Sequence, residues 1–159
     1  MKAEAQNIRT GEKIAVTLSD EQSNLLADLA RDRVSDKQLD ACIDNLDISA
    51  DAKAIVSSIL KSTIRVGKAI IKVGKRIIEI ALAIVAQFPN MTFGLILGLV
   101  VAALVSSIPI LGFLFGALVT PIAIAFGLTM GYVEDLKDKA LARKISEAEA
   151  MFEPLKGDI

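Results

Sequence analysis

Residues 91–133 read MTFGLILGLVVAALVSSIPILGFLFGALVTPIAIAFGLTMGYV. These 43 residues carry no charged side chain, and two crossings of a bilayer take roughly 40 apolar residues. All 37 charged side chains of the 159-residue chain lie in the other 116 residues. Phe88-Pro89-Asn90 is a break before the segment, because Pro ends a helix and Asn tolerates turns. Met91–Ser107 then gives 17 residues, about 25 Å as a helix. Ile108-Pro109-Ile110-Leu111-Gly112 reads as a tight apolar turn. Phe113–Val133 gives 21 more residues, about 31 Å, with a kink at Pro121. The stretch predicts a two-span transmembrane helical hairpin.

Flanking charge orients it. Lys68, Lys72, Lys75 and Arg76 precede the hairpin, Lys137, Lys139, Arg143 and Lys144 follow it, and the turn between the spans has none. By the positive-inside rule both termini are cytoplasmic. Three glycine pairs at helical spacing, Gly94/Gly98, Gly112/Gly116 and Gly127/Gly131, let helices approach closely in lipid. They serve packing within one hairpin or between subunits. Two spans cannot enclose a path alone, so a conducting form must be a homo-oligomer. No ionisable group lies inside the segment, which disfavours a proton relay or coupled transporter and suits a weakly selective or hydrophobically gated pore.

Upstream, residues 53–90 carry seven basic side chains and one acidic, Glu79. No proline occurs between Ala50 and Phe88, which predicts one long helix. At 100° per residue Lys61, Arg65, Lys68, Lys72, Lys75 and Arg76 fall within an arc of about 100°. Thr63, Ile64, Val66, Ile70, Ile71, Val73, Ile77 and Ile78 lie opposite, with Gly67 and Gly74. Three readings of this cationic stripe stay open. It rests on anionic lipid headgroups. It faces inward in an oligomer, where its mutual repulsion requires an anionic ligand such as a single-stranded DNA or other nucleotide oligomer. Or it is a target helix for a partner protein. No aromatic in the stripe offers a base a stacking surface.

Residues 1–52 carry 6 basic and 11 acidic side chains. Residues 1–13 read as a flexible start with no signal peptide, and Ile14–Leu18 as a short strand or extended lead-in. Ser19 with Gln22, and Ser35 with Gln38, have capping-box spacing. The first predicts a helix from Asp20 to Arg33 with Leu25, Leu26, Leu29 and Ala30 on one face. The second predicts a helix carrying Leu39, Cys42, Ile43 and Leu46, and Ser49 caps the next. Asp36, Asp40 and Asp44 form a solvated stripe rather than a calcium loop. Cys42 reads as a small buried side chain. Glu134–Lys156 predicts a surface helix that docks through Met151, Phe152, Leu155 and Ile159.

Chemistry is sparse. Histidine is absent and there is one cysteine, so His-based catalysis, His/Cys zinc sites and an internal disulfide are excluded. Gly67-Lys68 and Gly74-Lys75 lack the loop of a phosphate-binding motif. The expectation is a non-enzyme with no catalytic residue, metal or cofactor.

The uncharged hairpin flanked by cationic amphipathic helices resembles the pore-forming domain of colicins. Holins are a weaker comparison, because they lack so long a polar N-terminal part. The whole plan, a polar domain joined to a short hairpin, resembles small membrane effectors of bacterial anti-phage defence of the Hailong type. That resemblance implies a channel in the inner membrane, held closed by short DNA oligomers, whose release depolarises the cell. The expected fold is an all-α membrane protein. It has an acidic cytoplasmic domain (1–49), a basic amphipathic helix (50–90), the transmembrane hairpin (91–133) and a C-terminal cytoplasmic helix (134–159). The expected function is a homo-oligomeric pore that contacts membrane lipid and is controlled by an anionic ligand or a regulator protein. The alternative is a non-conducting membrane anchor or scaffold that recruits a partner.

Overall fold

The computed structural model describes residues 2–7, 10–29, 35–128 and 139–155. The expected end of the first helix (30–33), Gly131, the start of the tail (134–138) and Ile159 lie outside the described residues, as do the side chains of Leu25, Leu26 and Leu29.

The chain is not all-α. Strands β1 (Lys2–Gln6), β2 (Lys13–Thr17), β3 (Ile64–Val66) and β4 (Ala69–Ile71) form one antiparallel sheet in the order β2-β1-β3-β4. β1 alternates, with Ala3 and Ala5 buried between exposed Lys2, Glu4 and Gln6, so its period is two. Glu4 sits opposite Ala15 on one side and Arg65 on the other. The inner face contributes Ala3, Ala5, Val16, Ile64, Val66 and Ile71 to the core.

The expected long basic helix is broken in the middle. Helix α1 (Asp20–Leu29), α2 (Asp36–Asp44) and α3 (Ala50–Leu60) come first, then the β3–β4 hairpin, then α4 (Val73–Gln87). The physical reason lies in Thr63–Ile71. β-Branched residues there suit a pleated surface, and they flank a glycine that takes φ +61°. Val66 pairs with Ala69 across Gly67-Lys68, and no non-glycine residue among those described has positive φ. Glycine at the first central position with a negative φ after it is the type II′ geometry that matches strand twist.

The strings Val66–Ile71 (VGKAII) and Val73–Ile78 (VGKRII) differ at one position, yet the first is a hairpin and the second opens a helix. Context decides. Gly74 lies so close to α3 that a Cβ built on it would overlap the carbonyl oxygen of Ile59, and its amide donates to the Ser62 carbonyl at 3.1 Å.

The predicted transmembrane hairpin is overturned as well. Among the described residues no helix is long and apolar enough to cross a membrane. Its first half is α5 (Phe93–Ser107), 15 residues capped by Thr92, whose hydroxyl accepts from the Leu95 amide at 3.2 Å. Its second half is broken into α6 (Pro109–Phe115), a 3₁₀ turn (Gly116–Leu118) and α7 (Val119–Ala125). α7 stops in a Schellman motif: Gly127 takes φ +67°, its amide reaches Ile124, and the Leu128 amide reaches Ala123 at 2.7 Å.

α5 is the central rod, apolar on every side, with α4, α6, α7 and α8 (Lys139–Met151) packed around it. Ile96, Leu97, Val100 and Leu104 are at most 1% exposed. A helix apolar all round is either buried or in lipid, and this one is buried. At about 1.5–3 kcal/mol for each large aliphatic side chain, packing rather than polar contact holds it. α6 packs on β1 and β2, and the Asn7 side-chain amide donates to the Phe113 carbonyl at 3.2 Å. Phe152 and Leu155 are buried where a final 3₁₀ turn (Glu153–Leu155) meets α1, while Met151 stays exposed.

Candidate anion-binding site

The six cations expected on one stripe are distributed over four local structures. Lys61 caps the C-terminus of α3, Arg65 is on the outer face of β3, Lys68 is in the hairpin turn, and Lys72 is the residue before α4. All four are exposed. Lys75 and Arg76, in the first turn of α4, are buried.

Three of the six converge. Lys61, Lys72 and Lys75 line a cavity of about 370 Å³ with Asp36, Asp40, Ser57 and Thr63. α2 supplies the acidic wall. The Ser35 hydroxyl accepts from the Gln38 amide at 3.1 Å and the Gln38 side chain accepts from the Ser35 amide, so the box fixes where Asp36 stands. Asp36 then binds Lys75 at 2.8 Å and Lys72 at 3.6 Å.

That contact is lopsided. The Lys75 side chain is 5% exposed and Asp36 is 69% exposed. A buried ammonium must have a counter-charge, and this one has it at the protein surface. The hydrogen bond and charge of Lys75, with the charge of Lys72 added, hold the Asp36 carboxyl below the usual carboxylate range. Within the cavity three ammonium groups face two carboxylates. Lys61 has no ion-pair partner among the described residues, so the cavity keeps one positive charge in excess. A phosphate or carboxylate placed between Lys61 and Lys72 would neutralise it and bridge the end of α3 to the start of α4.

Arg76 points to the other side of α4 and pairs with Glu79 at 3.3 Å. Sequence reasoning missed Asp36 as a partner. The Asp36/Asp40/Asp44 spacing describes an exposed helix face, and all three are exposed. Nothing local announces a contact with lysines 36 and 39 positions away.

The glycine pairs serve separate local tasks. A Cβ on Gly94 would overlap the ring of Phe126, which meets Phe93 edge-on at 6.1 Å. Gly112 approaches the Val105 carbonyl, Gly98 is buried in α5, and Gly127 ends α7. Gly116 would meet only a Val105 methyl at 4.0 Å. Cys42 is exposed rather than buried. Among the described residues no three metal-ligating side chains converge. No protein family, curated protein or solved structure matches the chain.

Proposed function

We propose that the protein is a membrane-acting effector whose compact form is its resting state, stabilised by an anionic ligand in the Lys61–Lys72–Asp36 cavity. One observation carries the reading. Residues 91–128 hold no charge, and they include α5, the buried centre of the molecule. Such a segment is compatible with lipid once its cover is removed. The cover is α3, α4, α8 and, over α6, the small sheet, and Ile124 already stands 76% exposed at its margin.

The active form is a rearranged one. α5 alone spans about 22 Å, short of the roughly 30 Å hydrocarbon core. A conducting path therefore needs both a change of helix and several copies. An anion that binds only the compact form favours it by mass action. A phosphate-bearing oligomer fits this role, because the exposed Lys61 and Lys72 offer its phosphates two ammonium groups in one cavity.

The test is dye release from phosphatidylglycerol/phosphatidylethanolamine vesicles, with and without a short oligothymidylate. Release without the oligomer and suppression by it are expected. Suppression should be lost in Lys61→Gln/Lys72→Gln. No release under either condition, with α5 amides still protected from exchange, sinks the membrane reading. Release unaffected by oligomer leaves an effector without anion control.

A further inference from the structure

Ile70, Ile124 and Met151 are the exposed large apolar side chains among the described residues, and of these Ile70 alone lies on a sheet edge. β4 ends the sheet and pairs with β3. The direction of its backbone groups follows from the turn. Val66 and Ala69 flank a two-residue loop, so they are the hydrogen-bonded pair that closes the hairpin. Antiparallel pairs alternate, so Arg65 and Ile70 are the non-bonded pair and Ile64 and Ile71 the next bonded one. The N–H and C=O of Ile70 therefore point away from β3, to the open edge.

The side chains add a bare apolar centre and a positive surround. Ile70 is 58% exposed and stands across from the exposed Arg65. Lys68 and Lys72, two residues to either side of it, are exposed as well, and the Lys72 side chain stays 48% exposed beside Asp36. Such an edge discriminates among strands. A second β4 laid antiparallel about Ile70 would set Lys68 of each copy opposite Lys72 of the other, and like charges so placed are destabilising. A strand with carboxylates at those two positions meets attraction instead. The other edge strand, β2, exposes Lys13, Ala15 and Thr17, with no large apolar side chain among them.

We infer that the β4 edge accepts an extended acidic segment of a partner protein, added to the sheet as a further antiparallel strand. The segment has an apolar residue at its centre and an acidic residue two positions to either side. The central residue exchanges both backbone hydrogen bonds with Ile70 and covers its side chain. The flanking carboxylates come opposite Lys68 and Lys72. The backbone bonds supply the geometry, and the charges select the partner. The inference does not depend on the membrane reading, and the anion cavity is lined by neither Ile70 nor Lys68.

The probe is an end-blocked peptide, Ser-Glu-Thr-Val-Thr-Glu-Ser, titrated into the isotope-labelled full chain and followed by amide resonances and amide exchange. Saturable shifts centred on β3 and β4, with new exchange protection of the Ile70 amide, are expected. N-methylation of the peptide's valine should weaken binding by about fivefold or more, the worth of one lost backbone bond. Lys68→Glu, in the exposed turn, should weaken it by about threefold, the scale of a cross-strand charge pair. The same peptide with Lys for Glu should not bind. Absence of saturable binding overturns the inference. So does equal affinity for the N-methylated or the lysine peptide. Binding that leaves the Ile70 amide unprotected overturns it too, because the peptide is then an anion in the cavity and not a strand. The peptide controls need no variant to fold.

Discussion

Asp36 and Gly74 are the two residues on which the cation cluster turns. Asp36→Asn removes a competitor for the lysines, so affinity for oligothymidylate should rise while α2 amides lose exchange protection in the ligand-free protein. Lys61→Gln/Lys72→Gln should act in the opposite sense on affinity. Its salt dependence should shallow by about 1.4 in log–log slope, two single-strand phosphate contacts being lost. Equal slopes in titrations at several salt concentrations would show that these lysines hold no phosphate. The pH response has a definite sign. Asp36 has a lowered folded-state pKa, so its contribution to α2 docking is complete above its unfolded value, about 3.9, and is lost as pH falls through the folded value. The protection of α2 amides, taken relative to their intrinsic exchange rate at each pH, should be flat from neutrality to about pH 4 and fall only below it. At Gly74 a methyl group meets the Ile59 backbone, which cannot move aside cheaply. Gly74→Ala should cost about 1–3 kcal/mol in urea unfolding, as overpacking does. Gly116→Ala, which meets almost nothing, should be near neutral.

At the level of elements, what was legible had a local cause. Ser19/Gln22, Ser35/Gln38 and Ser49 declared their caps in the sequence, and each forms as read. The break at Phe88–Asn90 and the end of α5 at Ser107 were also visible. The β3–β4 hairpin was not, because Ile64, Val66, Ile70 and Ile71 satisfy a helical stripe and a strand alternation equally over so few residues. β1 was hidden because alanines, weak strand formers, fill its inward positions. The anion cavity was half legible: the lysines were singled out, while their convergence depended on the hairpin that the helical reading erased. The uncharged segment was misread through length. Its composition permits two spans, but the break at Pro109 and the 3₁₀ turn at Gly116–Leu118 divide its second half into short pieces. Leu97→Ala in the middle of α5, at 0% exposure, should cost about 2–5 kcal/mol. A midpoint in urea unchanged from wild type would mean that α5 is not the central rod.

For the molecule as a whole, the question is whether the cover opens as a unit. Ser107 on α5 donates to Glu149 on α8 at 3.2 Å, a polar tie between the rod and its wrapping. Mixed with anionic vesicles, the chain should lose exchange protection in α8 and α4 together, and a bound oligothymidylate should restore it in both. Protection that persists in α4 while vesicles leak would point to a different lipid contact.

The strand order carries a temporal consequence. β1 leaves the ribosome first, yet it occupies the interior of the sheet and must wait for β3, some 60 residues later, to gain its second neighbour. Asn7 waits longer still, for Phe113. At about 5–20 residues per second, that is several seconds during which the N-terminal hairpin has one open edge. The uncharged stretch, 91–133, emerges later, and it does so before α8 can cover it. Nascent-chain handling is therefore built into the topology. Every lining residue of the Lys61–Lys72–Lys75 cavity, from Asp36 to Lys75, is made before the apolar rod emerges, so the cation cluster can assemble while the rod is still to be synthesised.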